Sequence, residues 1–198
     1  MGRSSRTQLL KCSLALLAIA APVRAQALYQ LDESVSYVSL QGRASSFTIA
    51  GRSENLHGSM ELADAKSKTV RGTIRFAFGS LSVAPRMFQR EFYASFDAPA
   101  TSEIIFTVDS VLPGLTAREW FMDGRLSIRG VARPVRFAGT AAKIGTRIVA
   151  DGTSSIDVRH WGIEPKNRMF GLVQPSPEIR LSFSVSFVPV ISLGAIEH

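Results

Sequence analysis

Residues 178–188 read Glu-Ile-Arg-Leu-Ser-Phe-Ser-Val-Ser-Phe-Val. Ile179, Leu181, Phe183, Val185 and Phe187 are apolar, and Arg180, Ser182, Ser184 and Ser186 between them are polar. Strand side chains alternate between two faces, so this pattern sends one face into a core and the other into water. A helix would need its apolar residues three and four apart instead. The same alternation recurs along the chain. It carries Phe47 and Ile49, then Ile74, Phe76 and Phe78, then Ile104, Phe106 and Val108. Leu126 with Ile128, Val135 with Phe137, and Ile148 with Ile156 continue it. With weaker candidates near 35–41 and 56–63, about eight or nine short strands are expected. Strands with a single apolar face bury it best by closing into an antiparallel barrel or sandwich.

One stretch breaks the alternation. In Pro85–Phe96, Phe88, Phe92 and Phe96 fall at i, i+4 and i+8, one side of a helix. Pro85 suits a first turn and Asp97-Ala98-Pro99 a stop. The spacing predicts a single short α-helix near residues 85–97, laid across a barrel opening with its phenylalanines inward.

The first 25 residues read as a targeting segment. Arg3, Arg6 and Lys11 precede an apolar run from Cys12 to Val23, and Val23-Arg24-Ala25 and Ala25-Gln26-Ala27 are small-residue cleavage patterns. The run is short of the roughly 20 residues a membrane span needs. Residues 1–25 are therefore expected to be a cleaved signal peptide, 26–190 the folded barrel and 191–198 a tail. The protein is expected to be periplasmic or secreted, with no stable membrane insertion.

Charge and cysteine usage narrow the partners. The net charge is +7, but four of the bases lie in the first 25 residues with no acid among them. The remainder sets 19 bases against 16 acids, a balance of +3. No block of like charges remains, so nucleic acid is not an expected partner. Cys12 is the single cysteine and lies within the targeting segment, which leaves the mature chain without a disulfide, a thiolate ligand or a cysteine nucleophile.

Catalytic signals are missing. His57, His160 and His198 do not pair at metal-ligand spacing, and there is no HExxH, GxSxG or dinucleotide fingerprint. Neither an enzyme, nor a metal site, nor a cofactor is expected. The excess lies in phenylalanine, with twelve against three tyrosines and two tryptophans. Those rings either pack a solid core or surround a cavity. Ala150, Gly152 and Ser154 share the inward parity of Ile148 and Ile156, and Gly139 and Ala141 follow Val135 and Phe137. Small residues beside large rings either leave room for a ligand or let the rings pack, and the pattern alone keeps both readings open. An eight-stranded barrel is about the size that holds one small ligand.

Several motifs then fall into a known order. Tyr29-Gln30-Leu31-Asp32 stands shortly after the leader, and residues 124–135 read Gly-Arg-Leu-Ser-Ile-Arg-Gly-Val-Ala-Arg-Pro-Val. Trp161-Gly162-Ile163 follows a strand that ends Ser155-Ile156-Asp157-Val158, and the helical stretch ends Phe96-Asp97-Ala98. In these elements the chain resembles the YceI-like family of polyisoprenoid-binding, lipocalin-like proteins over roughly residues 29–188. It departs from the family pattern where Val158, Arg159 and His160 precede Trp161, and in a helical segment whose polar residues reduce to Arg86, Arg90 and Glu91.

The resemblance implies an all-β fold, an antiparallel lipocalin-like extended β-barrel of about eight strands with one short helix. It further implies an apolar tunnel for an isoprenoid chain such as a quinone tail. On that reading Phe47, Ile49, Phe76, Phe78, Phe106 and Phe137 line the tunnel with Trp161, while Phe88, Phe92 and Phe96 cover it. Arg90 or His160 would meet a polar head. The partner would be an apolar lipid or isoprenoid, and an exposed strand edge is compatible with a homodimer. The alternative is a periplasmic stress or interaction protein with a filled, ligand-free barrel.

Overall fold

The computed structural model describes residues 27–62, 70–96, 99–165 and 174–190. The segments read as leader (1–25) and tail (191–198) lie outside them. Eleven strands form one antiparallel sheet: β1 (Ala27–Leu31), β2 (Tyr37–Ala44), β3 (Phe47–Ser53), β4 (His57–Leu62), β5 (Val70–Ala77), β6 (Ser82–Ala84), β7 (Glu103–Pro113), β8 (Glu119–Ile128), β9 (Val131–Ile144), β10 (Arg147–Asp157) and β11 (Pro175–Pro189). The helix α1 spans Gln89–Phe96 between β6 and β7.

Eight of the strands close on themselves in the order β1-β4-β5-β7-β8-β9-β10-β11, with β11 returning to β1. At 15 residues β11 is long enough to serve two neighbours along one edge. Phe187–Pro189 pair with β1, and Pro175–Ser184 pair with β2. The strand pattern at 178–188 thus marks the seam of the barrel. Beyond that seam β2, β3 and β6 form a three-stranded wing. The corner between β1 and β2 is pinned where Asp32 N–H donates to the Ser186 carbonyl (2.7 Å) and the Ser36 hydroxyl accepts from Ser186 N–H (3.1 Å).

Turn chemistry sets several registers. Ile128 pairs with Val131 across Arg129-Gly130, both at positive φ (54° and 77°), the backbone of a two-residue hairpin turn that matches strand twist. Pro134 sits four residues into β9 rather than at its start. It is tolerated because β9 pairs with β10 only from Ala138 onward, so at Pro134 the strand has one neighbour. A bulge between Val108 and Ser110 shifts parity along β7, so Val111 faces inward and Leu112 outward.

Two expected elements differ in detail. The helix is eight residues long and starts at Gln89, because Pro85 is extended (ψ 145°) and Arg86–Phe88 form a 3-10 turn. The alternation through Phe78 also stops one residue early. β5 ends at Ala77, and Phe78 opens a second 3-10 turn whose N–H donates to Ser102 O (2.7 Å).

A two-lobed apolar interior as candidate site

Inward-facing residues of the eight barrel strands enclose two adjoining cavities. The helix-end lobe has a cavity volume of about 70 Å³. Phe76 and Ile104 of β5 and β7, Leu126 and Ile128 of β8, and Ile156 and Ile179 of β10 and β11 give it walls. Leu56, Leu81, Phe78 and Phe96 close it from the wing and helix side. The mouth lobe, with a cavity volume of about 150 Å³, lies at the opposite end between Met60, Val108, Val111, Trp120, Met122 and Ile148. Ala141 and Ala150 give it width, and Ile74 and Phe183 belong to both lobes. Apart from the Trp120 indole N–H, the polar side chains in the two walls are hydroxyls: Ser39 in one, Ser59 and Thr73 in the other.

An aromatic waist separates the lobes. Phe106 meets Phe137 edge-on at 5.0 Å, Phe137 meets Phe183 at 5.2 Å, and Trp120 stacks on Phe183 at 6.1 Å. Glycines make room for these rings. A Cβ on Gly152 would lie 2.6 Å from the Phe183 ring and 2.9 Å from the Trp120 ring, and one on Gly124 2.5 Å from Phe106. The small residue at 152 therefore seats rings, whereas Ala150, two positions along the same strand face, lines open space. The two readings left open by the sequence hold at different positions of β10.

At the helix end the covering is dense. Phe78 is 2% exposed and contacts Phe92, Tyr93 and Phe96, the last at 4.9 Å. The Tyr93 hydroxyl donates to the Leu81 carbonyl and ties α1 to the wing. At the mouth, inward residues such as Met60, Val108, Met122 and Ile148 keep part of their surface exposed. Their partial exposure shows that this end of the barrel is open to solvent, where no wing or helix covers it.

Each residue singled out from the sequence now has a place. Phe76, Phe78, Phe96, Phe106 and Phe137 line the helix-end lobe. Phe92 is buried behind them, against Phe78 and Phe96. Phe47 does not line the tunnel: β3 lies in the wing, and Phe47 is 51% exposed with its ring 5.7 Å from that of Phe88. Phe88 is correspondingly turned away from the lobe, because it ends the 3-10 turn and does not share the helix face of Phe92. Ile49 packs on the core from β3 without reaching either cavity. Trp161 is buried, and its indole N–H donates to the Leu126 carbonyl (3.0 Å), which makes it a brace on β8 outside the cavity wall.

Arg90 and His160 are exposed and line neither lobe. His160 sits in the turn Val158–Trp161, which is capped when the Asp157 carboxylate accepts from Arg159 N–H (2.9 Å). Hydrogen bonds from the Arg159 side chain and backbone lower the Asp157 pKa to about 2. Among the described residues no group of three or more His, Cys, Asp or Glu is placed to hold a metal ion. No described helix is long and apolar enough to cross a membrane.

Sequence reasoning missed Trp120, Met122 and Phe183 as wall residues. The signal was present, since Trp120, Met122 and Gly124 share the parity of Leu126 and Ile128, and Phe183 lies in the strand that declared the fold. Trp120 carries a further feature: its Nε1 is buried with no hydrogen-bond partner among the described residues.

The family model of the YceI-like domain matches residues 29–187, nearly all of the described chain. The chain belongs to the YceI-like family. Solved YceI-like structures share its fold at low identity. BcnA of Burkholderia cenocepacia aligns at 18% identity with a TM-score of 0.67, over 79% of this chain and 98% of its own. The Campylobacter jejuni YCEI protein aligns at 14% with a TM-score of 0.54, over 72% of this chain and 85% of its own. A mutant of that protein was crystallised with a monobromobimane guest and aligns equally well. No curated protein sequence matches the chain. The closed eight-stranded YceI-like barrel was expected from the sequence; the three-stranded wing on its seam was not.

Proposed function

We propose that this YceI-like protein is an exported, non-catalytic carrier that holds a long apolar chain, an isoprenoid such as a quinone tail, inside its barrel. The observation that carries this reading is the interior itself. Two apolar lobes with cavity volumes of about 70 and 150 Å³ lie end to end; both are smaller than the roughly 300–1,000 Å³ of small-molecule pockets, so a long chain is accommodated only as the waist rings and the mouth side chains move apart. Membership of a family that binds polyisoprenoid lipids supports the same reading, and the leader-like first 25 residues support export.

Energetics select a long chain. Burying one CH₂ contributes about 0.8 kcal/mol, so a five-carbon unit contributes roughly 3–4 kcal/mol at most. Association itself costs about 4–15 kcal/mol, so several units must be buried before binding is tight. A chain reaching both lobes would have to pass the Phe106–Phe137–Phe183 waist, and rotation of those rings is the movement that passage requires. The unpartnered Trp120 indole N–H offers an oxygen-bearing chain one polar contact.

The test is organic extraction of protein purified without detergent, followed by mass spectrometry. An isoprenoid or other long-chain lipid at near-stoichiometric amount is the expected result. Empty protein that also takes up no added quinone overturns the proposal and leaves the ligand-free interaction protein as the better account.

A further inference from the structure

Nine large apolar side chains are exposed among the described residues. Six of them, Leu28, Leu112, Leu115, Phe121, Ile144 and Val190, belong to the end of the barrel where the mouth lobe lies. Leu115 is 99% exposed at the tip of the β7–β8 hairpin, and Ile144 is 63% exposed at the β9–β10 hairpin. These hairpins are neighbours, joined where Ala141 N–H donates to the Arg118 carbonyl (2.9 Å). Below the first tip Leu112 and Phe121 are directly paired across β7 and β8, with 45% and 39% exposure. A fully exposed leucine on a hairpin tip has no folding role, since it buries nothing.

On the two hairpin tips the charges are mainly positive, while Glu61, directly opposite Leu28, stands in register with Arg71 on its other side. Arg118 and Lys143 stand on the same two hairpins, both are exposed, and neither forms an ion pair among the described residues. Arg147 is held by Asp32. The one acid on these tips, Glu119, is occupied in part by accepting from Thr116 N–H (3.1 Å).

We infer that this rim docks onto an anionic lipid bilayer, with Leu115 and Ile144 entering the headgroup–acyl boundary and Arg118 and Lys143 meeting acidic headgroups. The occupant follows from position and charge together. Apolar side chains flanked by cations are the two elements of interfacial membrane binding, and here they ring the lobe through which an apolar chain would leave a bilayer without crossing water. The direction of transfer rests on the carrier reading; the docking itself does not.

The test is flotation of the ligand-free protein with vesicles of phosphatidylcholine, with and without one-third phosphatidylglycerol. Wild type is expected to float with the anionic vesicles. The double variant Leu115→Glu/Ile144→Glu is expected to lose at least about tenfold in partitioning, and Arg118→Glu/Lys143→Glu to lose the preference for anionic lipid. None of these four residues lines either lobe. Uptake of cis-parinaric acid in vesicle-free buffer therefore scores the carrier reading separately and should be unchanged in both variants. Flotation with neither vesicle, or flotation that survives both glutamates, overturns the inference. Equal flotation with both vesicles, untouched by charge reversal, overturns the anionic assignment. A dimer that Leu115→Glu dissolves, with no vesicle binding, assigns the patch to a second copy and overturns it as well.

Discussion

At the helix end of the barrel Phe78, Leu81 and Phe96 fill the opening and are nearly inaccessible. At the mouth Val111, Met122 and Ile148 occupy the same inward parity and remain partly exposed. Both ends are built from strands with one apolar face. What differs is that one end receives a wing and a helix, which place Leu81, Phe78 and Phe96 over the opening, while the other is left to hairpin tips. Closure is therefore a property of the wing, of Leu56 and of the inserted segment 78–96, and not of the eight barrel strands.

That difference orders the expected effects of substitution. The largest falls at the closed end. Phe78→Ala removes a ring that touches Phe92, Tyr93 and Phe96 and should cost about 3–5 kcal/mol, the range for a buried phenylalanine. Urea unfolding measures it, and a loss as small as that of Met122→Ala at the mouth would break the contrast between the ends.

A second contrast lies along β10. Gly152→Ala places a methyl group against the Phe183 and Trp120 rings and should cost about 1–3 kcal/mol through overpacking. Ala150→Leu, two residues away, extends into the mouth lobe and should change stability by less than about 1.5 kcal/mol while reducing parinaric acid uptake. If Ala150→Leu destabilises as much as Gly152→Ala, the mouth lobe is not hollow. The pair separates a ring seat from open space on one strand.

These particular residues show why the fold was legible in the sequence and the site only partly so. Period-two alternation is a local property, and residues 178–188, 104–108 and 126–128 display it without help from the rest of the chain. A barrel followed from counting such strands. Which alternating residues border a void depends on partners far away in sequence. Phe47 has the right parity in a strand, but the strand joins the wing. Gly152 and Ala150 have the same parity and similar size, yet opposite surroundings, because Phe183 and Trp120 arrive over only one of them. Phe88 keeps helical spacing from Phe92, but the helix begins after it. The bulge at Val108–Ser110 exchanges the faces of Val111 and Leu112, which no composition rule announces. Trp161, placed in the wall by the resemblance, is a brace on β8 through its N–H.

The smallest effect concerns the turn that holds this brace. Asp157 titrates near 2 in the folded protein because of its bonds to Arg159, against about 3.9 for an unperturbed aspartate. A depressed folded pKa contributes stability that is complete above the unfolded value and is lost as pH falls through the folded one. Asp157→Asn should therefore lower the melting temperature slightly at pH 7, and the gap from wild type should close between about pH 4 and pH 2. Melting curves at a series of pH values read this directly. A gap that persists at pH 2 would assign the role of Asp157 to something other than its charge.

The hollow interior is tested most directly through the two tryptophans, since Trp120 lines the mouth lobe and Trp161 does not. Fluorescence of Trp161→Phe and Trp120→Phe is titrated with a quinone that carries a long isoprenoid tail. The account predicts saturable quenching of the emission from Trp120 in the first variant and much weaker quenching of Trp161 in the second. Emission from Trp120 that stays unquenched, or that falls in step with Trp161, would contradict it.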